Sequence, residues 1–482
     1  MSALPKHAET YMTAELAPLA ARVAGLPDEA GPALRERLFA TMLDWSTALI
    51  AGIGHEHHAR YVEALLSPLE SGPARVAGTG GRHPLAGAAA ANAAIGHFWE
   101  VDDAHRISTS HPGITVIPAV VALAEAYPEN AAERARPAIV AGFEAVLRVG
   151  SHLGTAHYAA NHTTATAGCF GAAAAAARFM GLDAQTTLSA FGHAGTQAAG
   201  LWQILDDRAF AAKAFHASTA VRNGLAAAFM AKAGIAGAAR VLEGRRGMRN
   251  AWKLEACDPS WLLPADVPMI FDVTIKAWPT CGQTHTALDC AAAIAARLGS
   301  QGKQGAGEIR RIVVDVPQAA LDIAGVTEPG TVGDAKFSTS FCVAATVGGR
   351  PPDFCGLTPD LVADPSIRAL AERTSVRHEP AFTARFPRER PARVTVETAD
   401  GTLFTEERSF RNGDPEQPWS EPALIARTRD ILRLAGTPVD ADRLVGWARR
   451  FAGMEAATGD GWSAGELFDI APQGANGSGN RR

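Results

Sequence analysis

The chain has few cysteines and no long uninterrupted apolar segment. Its 482 residues include six cysteines, and no two of them form a CxxC pair. This scarcity argues against a zinc ribbon or a dithiol redox motif, and scattered thiols are typical of the reducing cytoplasm. Charged residues or glycines interrupt each alanine-rich run before it is long enough to span a bilayer. We therefore expect a cytoplasmic protein that does not enter a membrane.

Motifs for nucleotide binding are also missing. The stretch Gly78-Thr-Gly-Gly-Arg-His83 lacks the third glycine of a dinucleotide fingerprint, and the chain has no GxxxxGK[ST] phosphate loop. A formal net charge of -5 argues against general nucleic-acid binding. The first residues show neither the apolar core nor the cleavage pattern of a signal peptide. The sequence therefore predicts a protein that uses no cofactor and has no nucleic-acid partner.

Polar and ionisable residues are concentrated between Glu100 and Gly113. This segment, Glu-Val-Asp-Asp-Ala-His-Arg-Ile-Ser-Thr-Ser-His-Pro-Gly, contains three carboxylates, two histidines, an arginine and three hydroxyls. It follows the small-residue run 86–96, predicted to be a tightly packed helix, and precedes the apolar run 114–126. Polar groups between buried elements are costly unless they are paired, so this segment is a candidate functional site.

The same segment resembles part of a known family. Asn92 with His97, Asp102-Asp103-Ala-His105 and Ser110-His111-Pro112-Gly113 resemble the first signature of the MmgE/PrpD family. Four later motifs agree with that family in order and spacing: Asn161-His162-Thr-Thr-Ala-Thr-Ala-Gly168, Lys213-Ala-Phe-His216 with Arg222-Asn-Gly224, Lys276-Ala-Trp-Pro279-Thr-Cys-Gly282-Gln-Thr-His285, and Gly333-Asp-Ala-Lys-Phe-Ser338. The family includes 2-methylcitrate dehydratases, cis-aconitate decarboxylases and iminodisuccinate epimerases. The resemblance covers nearly the whole chain.

The pattern of apolar residues predicts a mainly α protein with an α+β part. Residues 10–265 repeat apolar side chains at helical spacing and are predicted to form the first part of a large all-helical domain. Residues 266–414 are predicted to be a smaller inserted α+β domain. Residues 415–460 return to helical spacing and to the helical domain, and the Gly/Asn/Ser-rich tail 473–482 is predicted to be disordered.

Within the inserted domain, short β-branched runs indicate strands. Residues 271–275 and 312–316 are predicted strands, and two further runs flank Asp400-Gly401, which is a strong hairpin signal. A helix is predicted over 284–298. The family resemblance implies the same architecture, in which the inserted domain is a lid and the active site lies in the cleft below it. It also implies a homodimer. Two connections between the domains favour hinge closure over a substrate.

Five residues are predicted to be catalytic. His111 and His162 each precede a predicted helix, and the free N–H groups at a helix N-terminus can bind a carboxylate. The alternative for each histidine is that it only caps that helix. Lys213 has apolar neighbours, so it is either part-buried beside an anion or extends to solvent. The resemblance implies that Lys213 and Lys276 belong to the cleft. At the domain junction, Lys276 could lose water and act as the base, with His162 as acid, Tyr158 as a weaker alternative acid, and His111 and Lys213 holding substrate.

A second set of polar residues is predicted to contact the substrate: Glu100, Asp102, Asp103, His105, Gln197, His216, Arg222 and His285. One of the three neighbouring carboxylates is expected to orient a catalytic histidine, and another to cap the following loop. A metal cluster or a terpene-cyclase aspartate motif is the alternative for them, but Ala104-His105-Arg106 stands where that motif repeats its carboxylates. His55-Glu-His-His58 matches no ligand spacing either, so no metal site is predicted.

These residues predict proton abstraction next to a carboxylate, with cations stabilising the enolate-like charge. Loss of water, loss of CO₂ and epimerisation all branch from that intermediate. The leading prediction is a hydro-lyase of the 2-methylcitrate dehydratase type that acts on a small polycarboxylate. The alternatives are a cis-aconitate-type decarboxylase, an epimerase of an amino-dicarboxylate such as iminodisuccinate, and a non-catalytic carboxylate-binding protein. Glu100 and Ala104 depart from the Asp and Thr that the dehydratase and decarboxylase branches tend to have.

Overall fold

A computed structural model describes residues 13–303, 306–354, 356–436, 439–455 and 462–471. The predicted disordered tail, and the first residues of the predicted helical domain, lie outside these ranges. The described residues are mainly helical, with one small mixed sheet, as predicted from the sequence. No helix in the described ranges combines the length and apolarity that crossing a membrane requires.

The N-terminal half is built almost entirely from helices. These are α1 Ala17–Ala24, α2 Pro32–Ile53, α3 His58–Leu65, α4 Leu85–His97, α5 Pro112–Ala126, α6 Ala131–Tyr158, α7 Thr163–Thr166, α8 Gly168–Phe179, α9 Ala184–Gly195, α10 Gln203–Asp206, α11 Lys213–Lys232 and α12 Met248–Ala251. A two-residue strand pair, β1 Ala74–Arg75 and β2 Arg82–His83, is the departure from the predicted all-helical pattern.

Small residues let these helices approach closely. A side chain at Gly224 of α11 would place its Cβ 2.5 Å from the Cβ of Ala172 in α8. Because that distance is far below van der Waals contact, glycine is required where the two helices cross. Proline begins α2 and α5 at a position where the missing N–H costs nothing, which fixes where each helix starts. The small-residue run 86–96 is thus confirmed as a closely packed helix.

The following region combines helices with the mixed sheet. Its elements are α13 His285–Ser300, β3 Ile309–Val316, α14 Gln318–Ile323, α15 Val332–Ala335, α16 Thr339–Val347, α17 Pro359–Ala363, α18 Pro365–Glu372, β4 Thr374–His378, α19 Pro380–Thr383, β5 Ala392–Thr398 and β6 Leu403–Arg408. The sheet order is β4-β3-β5-β6, with β3 and β4 parallel and the other neighbours antiparallel. The predicted hairpin is confirmed, since β5 and β6 pair around Gly401, whose φ is +84°.

Buried residues alternate along β5 and pack against two helices. Along β5, residues 392, 394, 396 and 398 are buried, and the residues between them are half-buried. Residues 392, 394 and 396 share one hydrophobic core with α13 and α16. Two later helices, α20 Glu421–Leu434 and α21 Ala441–Ala452, and the short α22 Glu466–Ile470, instead share the core of α1–α12. We use the term lid for the region from α13 to β6 and helical body for the rest.

The predicted strand at 271–275 is wrong. Residues Met269–Asp272 form a 3₁₀ turn, and the extended residues after it do not enter the sheet. Thr274 instead pairs with Ala104, with the two N–H···O distances at 2.9 and 2.7 Å. A β-branched run shows that the backbone is extended but does not say which backbone it pairs with. Here the partner is the polar loop itself.

Candidate active site

A small cavity of about 30 Å³ lies where the helical body meets the lid. The body and the segment joining it to the lid contribute Glu100, Ala104, His105, Thr109, Ser110, His111, Tyr158, His162, Trp202, Lys213, Cys281, Gly282 and Gln283. The lid contributes Ile323 and Phe337, and the loop before β5 contributes Arg390. The volume holds about two water molecules, so a larger ligand requires the surrounding side chains or the lid to move.

The polar loop between α4 and α5 forms one wall. Glu100 and Thr109 have φ values of 58° and 52°, a strained region for residues other than glycine. The loop is closed by a hydrogen bond from the His105 N–H to the Ser110 carbonyl, at 2.8 Å. Asp103 accepts from the N–H of Gly113 at 3.0 Å, which caps the start of α5. The sequence predicted a carboxylate that caps the loop, and Asp103 instead caps the helix at the end of that loop.

The glycine of the Ser-His-Pro-Gly motif has a steric reason. A Cβ at Gly113 would lie 2.8 Å from a carboxylate oxygen of Asp103. The carboxylate therefore sits where any larger residue would place its side chain. The motif combines a proline that starts α5, a glycine that admits the cap, and His111 just before them.

A buried ion-pair group lies at the centre of the site. Lys213 Nζ is 2.5 Å from one oxygen of Glu100, and Lys276 Nζ is 3.3 Å from the other. Burial opposes ionisation of Glu100, but the two ammonium groups outweigh it and hold the pKa of this carboxyl well below its usual range. Lys276 is fully buried and also donates to the Glu100 carbonyl at 3.1 Å. Glu100 thus separates Lys276 from the cavity, which Lys213 reaches.

Asp102 lies beside two histidines. Its Oδ2 lies 2.8 Å from His97 Nδ1 and 3.3 Å from His111 Nδ1. The second nitrogen of His111 faces Lys213 Nζ at 3.4 Å. The hydrogen-bond partner of His111 Nδ1 is the Asp103 carbonyl, at 2.6 Å, and Asp102 adds a charge beside the same nitrogen.

Burial keeps the cavity histidines neutral. Burial, followed by the charges of Lys213 and Lys276, lowers the pKa of His111 to about 3. Burial and then Lys213 hold the pKa of His162 well below its usual value. Neither histidine makes a side-chain cap to the helix that follows it, so the capping alternative is not what the structure has. A neutral imidazole has a nitrogen lone pair that can accept a proton, and the ammonium group beside it opposes the charged form that results.

Tyr158, the last residue of α6, also lines the cavity. Gly154, with φ +73°, kinks α6 one turn earlier, so the last turn is re-aimed and only a glycine adopts this conformation easily. The Tyr158 ring packs edge-on against Trp202, which in turn lies 4.4 Å from the His162 ring. Burial raises the pKa of Tyr158 to about 12, so its hydroxyl carries a proton at neutral pH.

Several predicted substrate-binding residues lie outside the cavity lining. Gln197 and Arg222 are exposed. Arg222 follows Lys213 by nine positions in α11, which is about two and a half turns, so it projects from the opposite side of the helix. His285 is buried at the start of α13 and lies 3.1 Å from the Thr280 carbonyl. His216 lies behind His162, with their Nδ1 atoms 3.1 Å apart.

The remaining predicted residue, His105, does line the cavity. It is anchored by Ser108 at 2.8 Å and by Asp272 at 3.1 Å. Sequence analysis missed Arg390, Gln283 and Trp202 as cavity residues. Gln283 lies inside the motif from Lys276 to His285, so the sequence could have identified it as a candidate. Arg390 lies in a loop with no motif, where nothing in the sequence separates it from the nearby Arg385 and Arg388.

Three histidines could present nitrogen ligands to a metal. One ligand atom from each of His97, His111 and His162 lies within 4.8 Å of the others. The ring nitrogens His97 Nε2 and His162 Nε2 have no hydrogen-bond partner among the described residues. One contact argues that these histidines do not bind a metal. Lys213 Nζ lies 3.4 Å from His111 Nε2, and an ammonium group repels a cation at that position. The donor set is therefore a poor fit for a divalent ion.

Comparison with known proteins agrees with the motifs. The chain matches the MmgE/PrpD N-terminal domain over residues 18–254 and the MmgE/PrpD C-terminal domain over residues 278–447. It is 27% identical over 379 residues to cis-aconitate decarboxylase of Homo sapiens, covering 72% of this chain and 73% of that protein. The corresponding protein of Mus musculus is 26% identical over 371 residues, covering 72% of each chain.

A fungal protein aligns over more of the chain. Cis-aconitate decarboxylase of Aspergillus terreus is 24% identical over 458 residues, covering 91% of this chain and 92% of that protein. The two family domains together with these alignments account for both the helical body and the lid. The chain therefore belongs to the MmgE/PrpD family and is an enzyme of the lyase class.

Proposed function

We propose that the enzyme is a cofactor-independent lyase that acts on a small tricarboxylate through charge developed next to a carboxylate. The observation that carries this proposal is the meeting of neutral His111 and His162 with the Lys213 ammonium group in one small cavity. Such a site can move a proton and stabilise the anion formed, without a metal or an organic cofactor. The relatives named cis-aconitate decarboxylase support a tricarboxylate as substrate.

Two reactions fit these groups. In decarboxylation a carbon–carbon bond breaks, CO₂ leaves, and the electron pair is finally taken up by a proton that the protein supplies. In dehydration a base removes the proton next to a carboxylate, and the leaving hydroxide departs as water after it gains a proton. The names of the relatives favour decarboxylation of a cis-aconitate-like substrate, and the neutral histidines suit the dehydration predicted from the sequence.

The proposed roles differ from the sequence prediction in the base, which was Lys276, and in the acid, which was His162. Lys276 lies behind Glu100 and does not line the cavity, so we assign the base to His111 or His162. Tyr158 retains its proton at neutral pH and is the proposed proton donor. Lys213 holds a substrate carboxylate, while Lys276 and Glu100 keep Lys213 in place. In this proposal the base, the proton donor and the group that holds a substrate carboxylate are different residues.

Proton NMR of reactions in D₂O tests the proposal. Cis-aconitate, 2-methylcitrate and iminodisuccinate are offered separately to the purified enzyme. Loss of CO₂, loss of water and exchange of the α-proton give distinct spectra, so one experiment separates the three reaction types. If no tricarboxylate is consumed while iminodisuccinate exchanges its proton, the enzyme is an epimerase and the proposal fails.

Metal chelation supplies a second test. We expect turnover to survive EDTA, and metal analysis to find far less than one ion per chain, because Lys213 opposes a cation between the three histidines. Loss of activity on chelation, with recovery on adding one divalent metal, would overturn the cofactor-independent part of the proposal. We also propose that the protein is a cytoplasmic homodimer. Light scattering of the purified protein tests whether it is a dimer.

A further inference from the structure

Arg390 occupies an unusual position in the cavity wall. It lies in the loop before β5 and is 8% exposed. Its backbone N–H donates to the Ser409 carbonyl at 3.0 Å, and its Nη2 donates to the Arg106 carbonyl, also at 3.0 Å. The guanidinium group lies 5.5 Å from the centroid of the Phe386 ring. The side chain is therefore held firmly, with its charged end at the cavity.

This guanidinium has no carboxylate partner among the described residues, and its Nε is buried without a hydrogen-bond acceptor. Lys213, the other ammonium or guanidinium group in the cavity lining, differs in this respect, as do two of the three histidines that line the cavity. Lys213 is paired with Glu100, His111 with Asp102 and His105 with Asp272. Arg390 is thus the cavity cation that the protein itself leaves uncompensated.

Burial of an unpaired charge is costly, and a protein retains one where a ligand completes it. Burial, followed by the charge of Arg411, lowers the pKa of Arg390 to about 10, which leaves the side chain cationic at neutral pH. The planar guanidinium group presents parallel N–H donors that match the two oxygens of a carboxylate. The missing partner is therefore best supplied by a carboxylate from outside the chain.

The residue beside this guanidinium is a glycine, and the cavity must widen before a whole ligand can enter. Gly282 borders Arg390, and a Cβ at this position would lie 3.9 Å from Nη1 and only 3.0 Å from Arg411 Nη1. Gln283 and Tyr158 line the same cavity and offer further polar hydrogens. Arg390 comes from the loop after α19, whereas Lys213 comes from α11, so the two cations face the cavity from different regions.

We propose that Arg390 binds one carboxylate of the substrate and makes the site select three carboxylates over two. This inference rests on the proposed action on a tricarboxylate. Lys213 and the adjacent donors hold the other carboxylates, and closure of the lid brings Arg390 onto the last one. Arg390 is then a specificity-determining residue in the lid rather than part of the proton-transfer machinery.

Binding of two unreactive ligands tests this proposal without turnover. Tricarballylate has three carboxylates, and glutarate is the corresponding chain with the central one removed. Isothermal titration gives Kd for both ligands with the full-length wild-type enzyme and with Arg390→Gln, Arg390→Lys and the control Arg388→Gln. Arg388 is exposed and lies two residues away. Melting temperatures are measured for all four proteins.

We expect wild-type enzyme to prefer tricarballylate, and Arg390→Gln to lose ~10- to 100-fold of that preference, because a charge-assisted bidentate contact is lost. Arg390→Lys should lose part of it, since lysine keeps the charge without the paired donors, and Arg388→Gln should lose none. With substrate, Arg390→Gln should raise KM more than it lowers kcat.

Two outcomes separate the possible failures. If wild-type enzyme binds tricarballylate and folded Arg390→Gln keeps the full preference, Arg390 is structural and the inference is wrong while the proposed function stands. If wild-type enzyme binds neither ligand, the proposed substrate class fails and the inference fails with it. Should Arg390→Gln not fold, an unchanged preference in Arg390→Lys likewise overturns the inference.

Discussion

The two walls of the cavity satisfy their charges in opposite ways. The wall from the helical body pairs its ionisable groups internally: Glu100 with Lys213, and Asp102 with His111. The wall from the lid side presents Ile323, Phe337 and the unpaired Arg390. A wall that is already paired holds its catalytic groups in place before substrate arrives. A wall with an unpaired cation is stabilised most when a substrate anion binds to it. We therefore infer that the body wall holds the catalytic groups in place and that the lid wall selects the substrate.

The largest expected effect comes from the histidines of the body wall. His111→Asn and His162→Asn should each lower kcat by about 100- to 10,000-fold, the usual contribution of a general acid or base. The matched lid-side control is His285→Asn, because His285 is also buried but does not line the cavity. Steady-state kinetics and melting temperatures measure both. A folded His285→Asn enzyme as inactive as His111→Asn would move chemistry to the lid side and break the comparison.

The next effect concerns stability of the body wall. Glu100→Gln leaves the Lys213 and Lys276 ammonium groups buried with their shared partner removed, and should cost about 3–5 kcal/mol of unfolding free energy. The exposed lid residue Glu328→Gln should change it by less than about 0.5 kcal/mol. Urea unfolding curves give both values. Equal effects would show that the pairing in the body is not what stabilises it.

Acid should destabilise the helical body before the lid. Burial first, with nearby cations adding to it at some sites, lowers the pKa of His55 and His111 to about 3 and that of His157 and His216 to about 4. In the unfolded chain these groups titrate at about pH 6.5, so below that pH the unfolded state binds protons that the folded state does not. Their contribution is therefore complete above pH 6.5 and is lost as pH falls through the folded values.

Hydrogen exchange at pH 7, 6 and 5 measures this difference by segment. Protection should fall earlier in the body than in β3–β6, because the lid carries His285 and His378 only. His157→Leu, which lies away from the cavity, should reduce the loss by up to about 1.4 kcal/mol per pH unit. Simultaneous loss of protection in both regions would contradict the separate acid response.

The smallest effect compares two motif glycines. Gly113→Ala in the body would place its Cβ against Asp103 and should cost about 1–3 kcal/mol. Gly333→Ala in the lid meets no atom closer than 3.6 Å and should be neutral or slightly stabilising. Differential scanning calorimetry of the two variants decides. A destabilised Gly333→Ala would show that the lid motif is packed as tightly as the body motif.

Sequence analysis found most of the body wall but less of the wall opposite it. The segment from Glu100 to Gly113 was predictable because costly polar residues were crowded between two apolar runs. Lys213, His162 and Tyr158 also line the cavity, and they were found from motifs or local pattern. Arg390 lies in a loop with three other arginines nearby in sequence and carries no local signal, since burial beside an empty polar pocket is a property of three-dimensional packing.

Local sequence determined the secondary structure wherever the signal was local. Apolar spacing predicted α13, α20 and α21, and Asp400-Gly401 predicted the β5–β6 hairpin, because helix periodicity and turn geometry involve residues close in the chain. Tertiary structure decided what residues distant in sequence do to one another. It paired Thr274 with the polar loop rather than with the sheet, put Lys276 behind Glu100, and turned Arg222 to solvent. The charge of a side chain and the local secondary structure can be predicted from the sequence. Burial of side chains and pairing of charged groups are decided only when the body and the lid pack together.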